Sequence, residues 1–244
     1  MNSNLMTNST ANSQRTGPLA ILVNGASSSG KSTICKALQE RLTCVADGDP
    51  DAAFARVAFD DFVLQMSETL YPISFVSIQG GDISRLISRQ PYDGRAGWEY
   101  VDESEVEGKH GGSPRLRLVL NPHGRRLLTG LHKSWGAHLE LGTSLVIDHF
   151  LQDPSWCSEV LDVLQASHAR LFLVGVFCSV AEMERREASR ADGGVEGRPL
   201  GLARRSAELC HAHGLQYDVR VNTDQETTAE SIDKIVEALQ KNSM

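Results

Sequence analysis

Leu19-Ala20-Ile21-Leu22-Val23-Asn24-Gly25-Ala26-Ser27-Ser28-Ser29-Gly30-Lys31-Ser32-Thr33 is the stretch on which the fold turns. Leu19 to Val23 form an apolar run of strand type, and Gly25 to Ser32 fits G-x-x-x-x-G-K-[ST] at every fixed position. From Lys31 onward, Ile34, Ala37, Leu38 and Leu42 recur at helical spacing, so an amphipathic helix is predicted to about Leu42. A glycine- and serine-rich turn alone is a weak signal, but between a strand and a helix it predicts a phosphate-binding loop. Backbone N–H groups must point inward round a polyphosphate, which glycine tolerates best, and Gly25 and Gly30 supply that freedom. The start of the helix adds the positive end of its dipole and free first-turn N–H groups. Lys31 is then expected to reach the β- and γ-phosphates of ATP and the Ser32 hydroxyl to hold Mg2+. Ala26, Ser27, Ser28, Ser29 and Thr33 complete the expected nucleotide site.

The 244-residue chain is long enough for one α/β domain with a full core. Residues 1–17 are rich in Asn, Ser and Thr and lack the basic and apolar regions of a secretory signal. They are expected to be a disordered tail, leaving 18–244 as a single domain. A formal net charge of -7 speaks against general affinity for nucleic acid or an anionic membrane. No apolar run approaches the roughly 18 residues that span a bilayer. Cys35, Cys44, Cys157, Cys178 and Cys210 show no C-x-x-C pairing, which points to reduced thiols and a cytoplasmic location. The oligomeric state, a homo-oligomer included, stays open.

Further along, Arg56 to Phe59 reads as a short strand that runs into Asp60-Asp61-Phe62. In a doubly wound sheet ligands gather outside the carboxyl ends of strands, so one carboxylate is expected to face the ligand while the other caps a helix over Phe62 to Leu70. Asp61 is the preferred catalytic residue, with Asp60 open as its rival. Glycines and turn residues break up the stretch from Tyr71 to Pro114, so 71–114 is expected to be an inserted lid or acceptor-side segment. Its Trp98 and Tyr100 either wall an acceptor pocket or form a satellite core. Arg115 to Leu120 reads as extended, and Gly124 to Leu141 as a helix with Arg125, Arg126, His132 and Lys133 on a solvated face.

Thr143 to Asp148 is a predicted buried strand whose terminal Asp148 is placed to hold a Mg2+-bound water, with His149 and Phe150 at the same mouth. Asp153-Pro154 opens a helix, and Ala169 to Cys178 is apolar enough for a strand covered on both faces. Ala181 to Arg190 reads as a solvated helix with ion pairs. The glycine-rich turn that follows carries Arg198, and such a turn suits a lid. Arg190 and Arg198 are the candidates to bring positive charge onto a transferring phosphoryl group. A helix from Leu202, a strand near Asp218 to Val221 and a helix from Thr227 to Leu239 close the chain. The alternation predicts an α/β fold, a P-loop NTPase-type three-layer sandwich with a mainly parallel central sheet and helices on both faces.

Taken together these segments resemble the chloramphenicol phosphotransferase-like family of phosphate-loop kinases. The resemblance rests on Gly30-Lys31-Ser32, Ala58-Phe59 followed by Asp, and Val146-Ile147-Asp148 leading into Phe150-Leu151. It continues through Leu173-Val174-Gly175-Val176 before Cys178, Glu184-Arg185-Arg186-Glu187 with Arg190, and His211 ahead of Gly214 and Tyr217-Asp218-Val219. It implies ATP-dependent phosphorylation of a hydroxyl on a small antibiotic-like acceptor, with Asp61 matching the base and Arg190 and Arg198 at lid positions. The middle region is longer than the family pattern, and His149 stands where that pattern has a second acidic residue. A metabolite or toxin-like kinase and a nucleotide-binding switch are the alternatives. No Glu follows Asp148, and Val221-Asn222-Thr223-Asp224 is not a guanine-reading Asn-Lys-x-Asp segment, so both features weigh against the switch.

Overall fold

A computed structural model describes residues 17–45, 53–66, 97–103, 114–191 and 200–242. Among them the strands are β1 (Leu19–Gly25), β2 (Phe54–Ala58), β3 (Trp98–Asp102), β4 (Leu116–Leu120), β5 (Ser144–His149), β6 (Arg170–Phe177) and β7 (Val219–Asn222). The helices are α1 (Lys31–Val45), α2 (Asp61–Leu64), α3 (Pro122–Glu140), α4 (Pro154–Ala166), α5 (Val180–Ala191), α6 (Leu202–Leu209) and α7 (Thr228–Lys241). β2, β5, β1, β6 and β7 lie side by side in that order as a five-stranded sheet, and every pair in it is parallel.

The apolar run of β1 is central because both of its faces are covered. Successive side chains point to opposite sides of a strand. Ala20 and Leu22 therefore pack with Leu128, Trp135 and Leu139 of α3 and Trp156, Val160 and Leu164 of α4. Ile21 and Val23 pack with Ile34 and Leu38 of α1 and Ile232, Ile235 and Leu239 of α7. Two cores on two faces make the predicted three layers.

Local chemistry sets the helix starts. The Asn121 side chain accepts the Gly124 N–H ahead of α3, Asp153 accepts the Ser155 N–H ahead of α4, and Thr227 with Glu230 forms a capping box on α7. A proline occupies the first turn of both α3 and α4, where its missing N–H costs nothing.

The stretch around Trp98 differs from the broken segment expected there. β3 pairs antiparallel with β4 as a separate two-stranded ribbon, Tyr100 opposite Leu118. Trp98 is buried in the main core, and Tyr100, two residues on and so on the same face of β3, is partly buried against that core with its ring 5.3 Å from the Trp98 ring. The expected tail, most of the inserted segment and the glycine-rich turn with Arg198 lie outside the described residues. No described helix is long and apolar enough to cross a membrane.

Candidate active site

The phosphate loop joins the end of β1 to the start of α1. A Cβ on Gly25 would lie 2.6 Å from the Val176 carbonyl oxygen of β6, so only glycine lets the loop leave the sheet here. Gly30 has φ +90°, and Ser28, with φ 60°, adopts the left-handed conformation without being glycine. Two hydroxyls from distant parts of the chain grip this strained apex. Ser206 Oγ accepts the Ser27 N–H at 2.9 Å, and Thr223 Oγ1 donates to the Ser29 carbonyl at 2.6 Å. The Ser28 and Ser29 hydroxyls are buried and have no hydrogen-bond partner among the described residues. A ring of polar groups held ready in this way fits a polyphosphate.

Lys31 Nζ donates to the Ala26 carbonyl at 3.3 Å and lies 3.8 Å from Asp148 Oδ1 at the end of β5. Register explains the meeting, since β1 and β5 pair in parallel with Val23 opposite Asp148. Ser32 and Thr33 are exposed on the first turn of α1. An open cleft runs past these residues, lined by Ser27, Lys31, Ser32, Asp60 and Asp148, with Phe59, Tyr100, Leu118, Phe150 and Leu202 as an apolar wall. Among the described residues no cluster of three or more His, Cys, Asp or Glu side chains could hold a metal alone. Ser32 with Asp148 beside a phosphate site instead suits Mg2+, which is commonly held by one carboxylate and substrate phosphates.

The paired carboxylates take different positions. Asp61 turns back, its Oδ2 accepting the Ala58 N–H at 2.9 Å, and serves the turn between β2 and α2. Asp60 lines the cleft. Arg190 lies on α5, and Arg198 falls outside the described residues.

Several side chains expected on solvated faces are interior. His149 does not join the mouth of the site but is fully buried beneath it, 3.0 Å from His132 by their Nε2 atoms. His132, also fully buried, meets Glu159 at 2.5 Å through Nδ1, and Arg125 and Thr129 hold the same carboxylate. Burial pushes both imidazoles below their ordinary value, His149 furthest. Neutral His132 therefore gives its Nδ1–H to Glu159 and accepts the Nε2–H of His149. Burial in the direction of the protonated form is outweighed at Glu159, whose hydrogen bonds from Arg125, His132 and Thr129 keep it ionised.

Arg186 likewise leaves the solvated face assigned to it. Its Nε donates to Glu182, and its Nη1 and Nη2 donate to the hydroxyl and carbonyl of Thr223 at 3.0 and 2.8 Å, beside Gly30. Hydrogen bonds from Arg185 and Arg186 draw Glu182 down to about 2. Glu187 is 1% exposed, and its carboxylate accepts the N–H groups of Gly201 and Ala203, so it caps α6 from α5. The apolar stripe Leu202, Ala203 and Cys210 gave one signal for Ser206, a serine on the same face. Arg186 and Glu187 stood out only as part of the Glu184-Arg185-Arg186-Glu187 segment of the family resemblance, with no sign of what they hold.

No curated protein sequence is significantly similar to the chain. Among solved structures, the APS kinase CysC of Mycobacterium tuberculosis, in complex with AMPPNP and APS, superposes with a TM-score of 0.52 at 12% identity. That match covers 92% of this chain and 98% of the other. A candidate kinase of Chloroflexus aurantiacus gives 0.54 at 14% identity, covering 93% and 98%. At such identities the likeness concerns the fold, which is that of the P-loop kinases. The sequence profile of the chloramphenicol phosphotransferase-like proteins matches residues 19–240, and with nearly the whole described fold inside that match, the chain belongs to this family.

Proposed function

We propose that the protein is an ATP-dependent kinase that phosphorylates a hydroxyl of a small molecule, an antibiotic such as chloramphenicol or a related compound, and so confers resistance. The observation that carries this is the joining of the Lys31–Asp148 pair, 3.8 Å apart, to a cleft with Asp60 on one side and an apolar wall on the other. Loop amides and Lys31 bind the β- and γ-phosphates, and Ser32 with Asp148 holds Mg2+, which when bound neutralises phosphate charge. Asp60, which lines the cleft, is placed to accept the proton of the acceptor hydroxyl, with Asp61, whose Oδ2 accepts the Ala58 N–H, as its rival. Tyr100, Leu118, Phe150 and Leu202 pack the apolar face of the acceptor and keep water from the transferring group. Arg190 and Arg198 neutralise charge in the transition state as lid arginines. Residues 18–244 act as one kinase domain, with 71–114 on the acceptor side. Use of ATP, together with cysteines lacking paired spacing, supports a cytoplasmic setting.

The test is ATP consumption with Mg2+ against a panel of hydroxylated antibiotics led by chloramphenicol. Consumption that depends on one acceptor is expected. Asp60→Asn should lower kcat by about 10²–10⁴-fold, while Asp61→Asn should retain most activity. Equal losses in the two variants would remove the assignment of the base. ATP consumption indifferent to every acceptor would remove the kinase.

A further inference from the structure

We infer that α6 joins the phosphate loop to the acceptor wall, with Ser206 as the positioning residue at the joint. This rests on the nucleotide site proposed above. Three contacts meet on this one helix. At its start, Leu202 lines the cleft, and one turn later Ser206 reaches the Ser27 N–H of the loop. The Ser206 hydroxyl donates to the Ala203 carbonyl at 3.0 Å, which fixes its lone pair toward Ser27. Residues four apart share a helix face, so wall and loop contacts lie on one side of α6.

The second contact is the β3–β4 ribbon. Leu116 N–H donates to the Gly201 carbonyl, and a Cβ on Gly201 would lie 2.3 Å from the Pro114 carbonyl oxygen, so ribbon and helix start are in close backbone contact. Arg205 pairs with Glu103 at 2.5 Å, and Arg115 with Glu208 at 2.5 Å. Tyr100 and Leu118, paired across that ribbon, form part of the acceptor wall. The third contact is Glu187, which fixes the start of α6 to α5.

A ligand that stiffens the loop at Ser27 therefore stiffens α6 and, through it, the ribbon. The wall that receives the acceptor is ordered when nucleotide is in place. Ser206 touches no substrate in this scheme. It acts through the Ser27 backbone.

Amide hydrogen exchange with and without Mg2+ and AMPPNP tests this without a known acceptor. In the full chain, AMPPNP should slow exchange about tenfold over 25–32 and also over α6, β3 and β4. Ser206→Ala should keep the slowing over 25–32 and lose it over β3 and β4, and Ser206→Thr should restore it. Glu103→Gln, which loosens the ribbon from α6 without touching the loop, should give the same loss. Protection of wild-type protein confined to 25–32 would overturn the inference, as would unchanged spreading in Ser206→Ala and Glu103→Gln. No protection of 25–32 in wild-type protein would overturn the nucleotide site itself, and this inference with it.

Discussion

Acidification should destabilise this protein through its buried histidines. His149 is fully buried and held neutral by burial and by its neighbour His132. Burial also lowers His132, against the opposing pull of Glu159, and brings His211 down to about 4. Each folded value lies below that of the unfolded chain, near 6.5. The unfolded state therefore binds the proton first as pH falls, and stability is complete above that value and lost below it. A histidine that stays neutral in the fold loses about 1.4 kcal/mol between about pH 7.5 and about pH 5.5. His149 contributes that in full. His132 adds part, and His211 a smaller, solvent-screened share, for a total of about 2–3 kcal/mol. Against a typical stability of about 5–15 kcal/mol the change is large yet leaves a measurable folded population. Urea unfolding at the two pH values reads it, and His149→Leu should reduce the loss by about half, since one full proton is removed. An unchanged loss in His149→Leu, or stability that rises on acidification, would refute the reasoning.

The start of α3 and the acceptor wall give two further tests. A Cβ on Gly124 would lie 2.1 Å from the Gly97 carbonyl oxygen, a backbone atom that also accepts the Asn121 N–H. Gly124→Ala should therefore cost about 2–4 kcal/mol in thermal or urea unfolding, and a change below about 0.5 kcal/mol would contradict the packing at the ribbon base. Tyr100→Ala should raise the acceptor KM about tenfold while AMPPNP affinity stays within about twofold, and a loss of nucleotide affinity instead would move Tyr100 to the other side of the site.

The sheet was legible because its signals are periodic and local. Apolar runs, caps at Asp153 and Thr227 and the fixed spacing of the phosphate loop each follow from chemistry within a few residues. Asp148 was legible for the same reason, as the acid ending a buried strand. The orientation of Asp60 against Asp61 depends on which one the Ala58 N–H captures, and adjacent carboxylates look alike in sequence. His132 lies four residues after Leu128 and three before Trp135, on the buried face of α3, but its polarity argued for solvent and its partner Glu159 is 27 residues away. Arg186 reads as an ion-paired surface residue until the loop after β7 brings Thr223 against it. His132 and Arg186 thus answer to distant partners, whereas the aspartate pair turns on a choice within three residues.

Strand order carries a consequence for biosynthesis. β1 has no partner among the strands that immediately follow it, since its neighbours are β5 and β6, and Ala20 waits for Leu145. Among the described residues β2 pairs only with β5. During translation the apolar strand leading to Gly25 is thus made early and paired late, a period in which unpaired strand edges invite aggregation and chaperone capture. Gly25 abuts a carbonyl of Val176. A fragment that stops short of β6 therefore possesses the motif in writing while lacking the surface that shapes it.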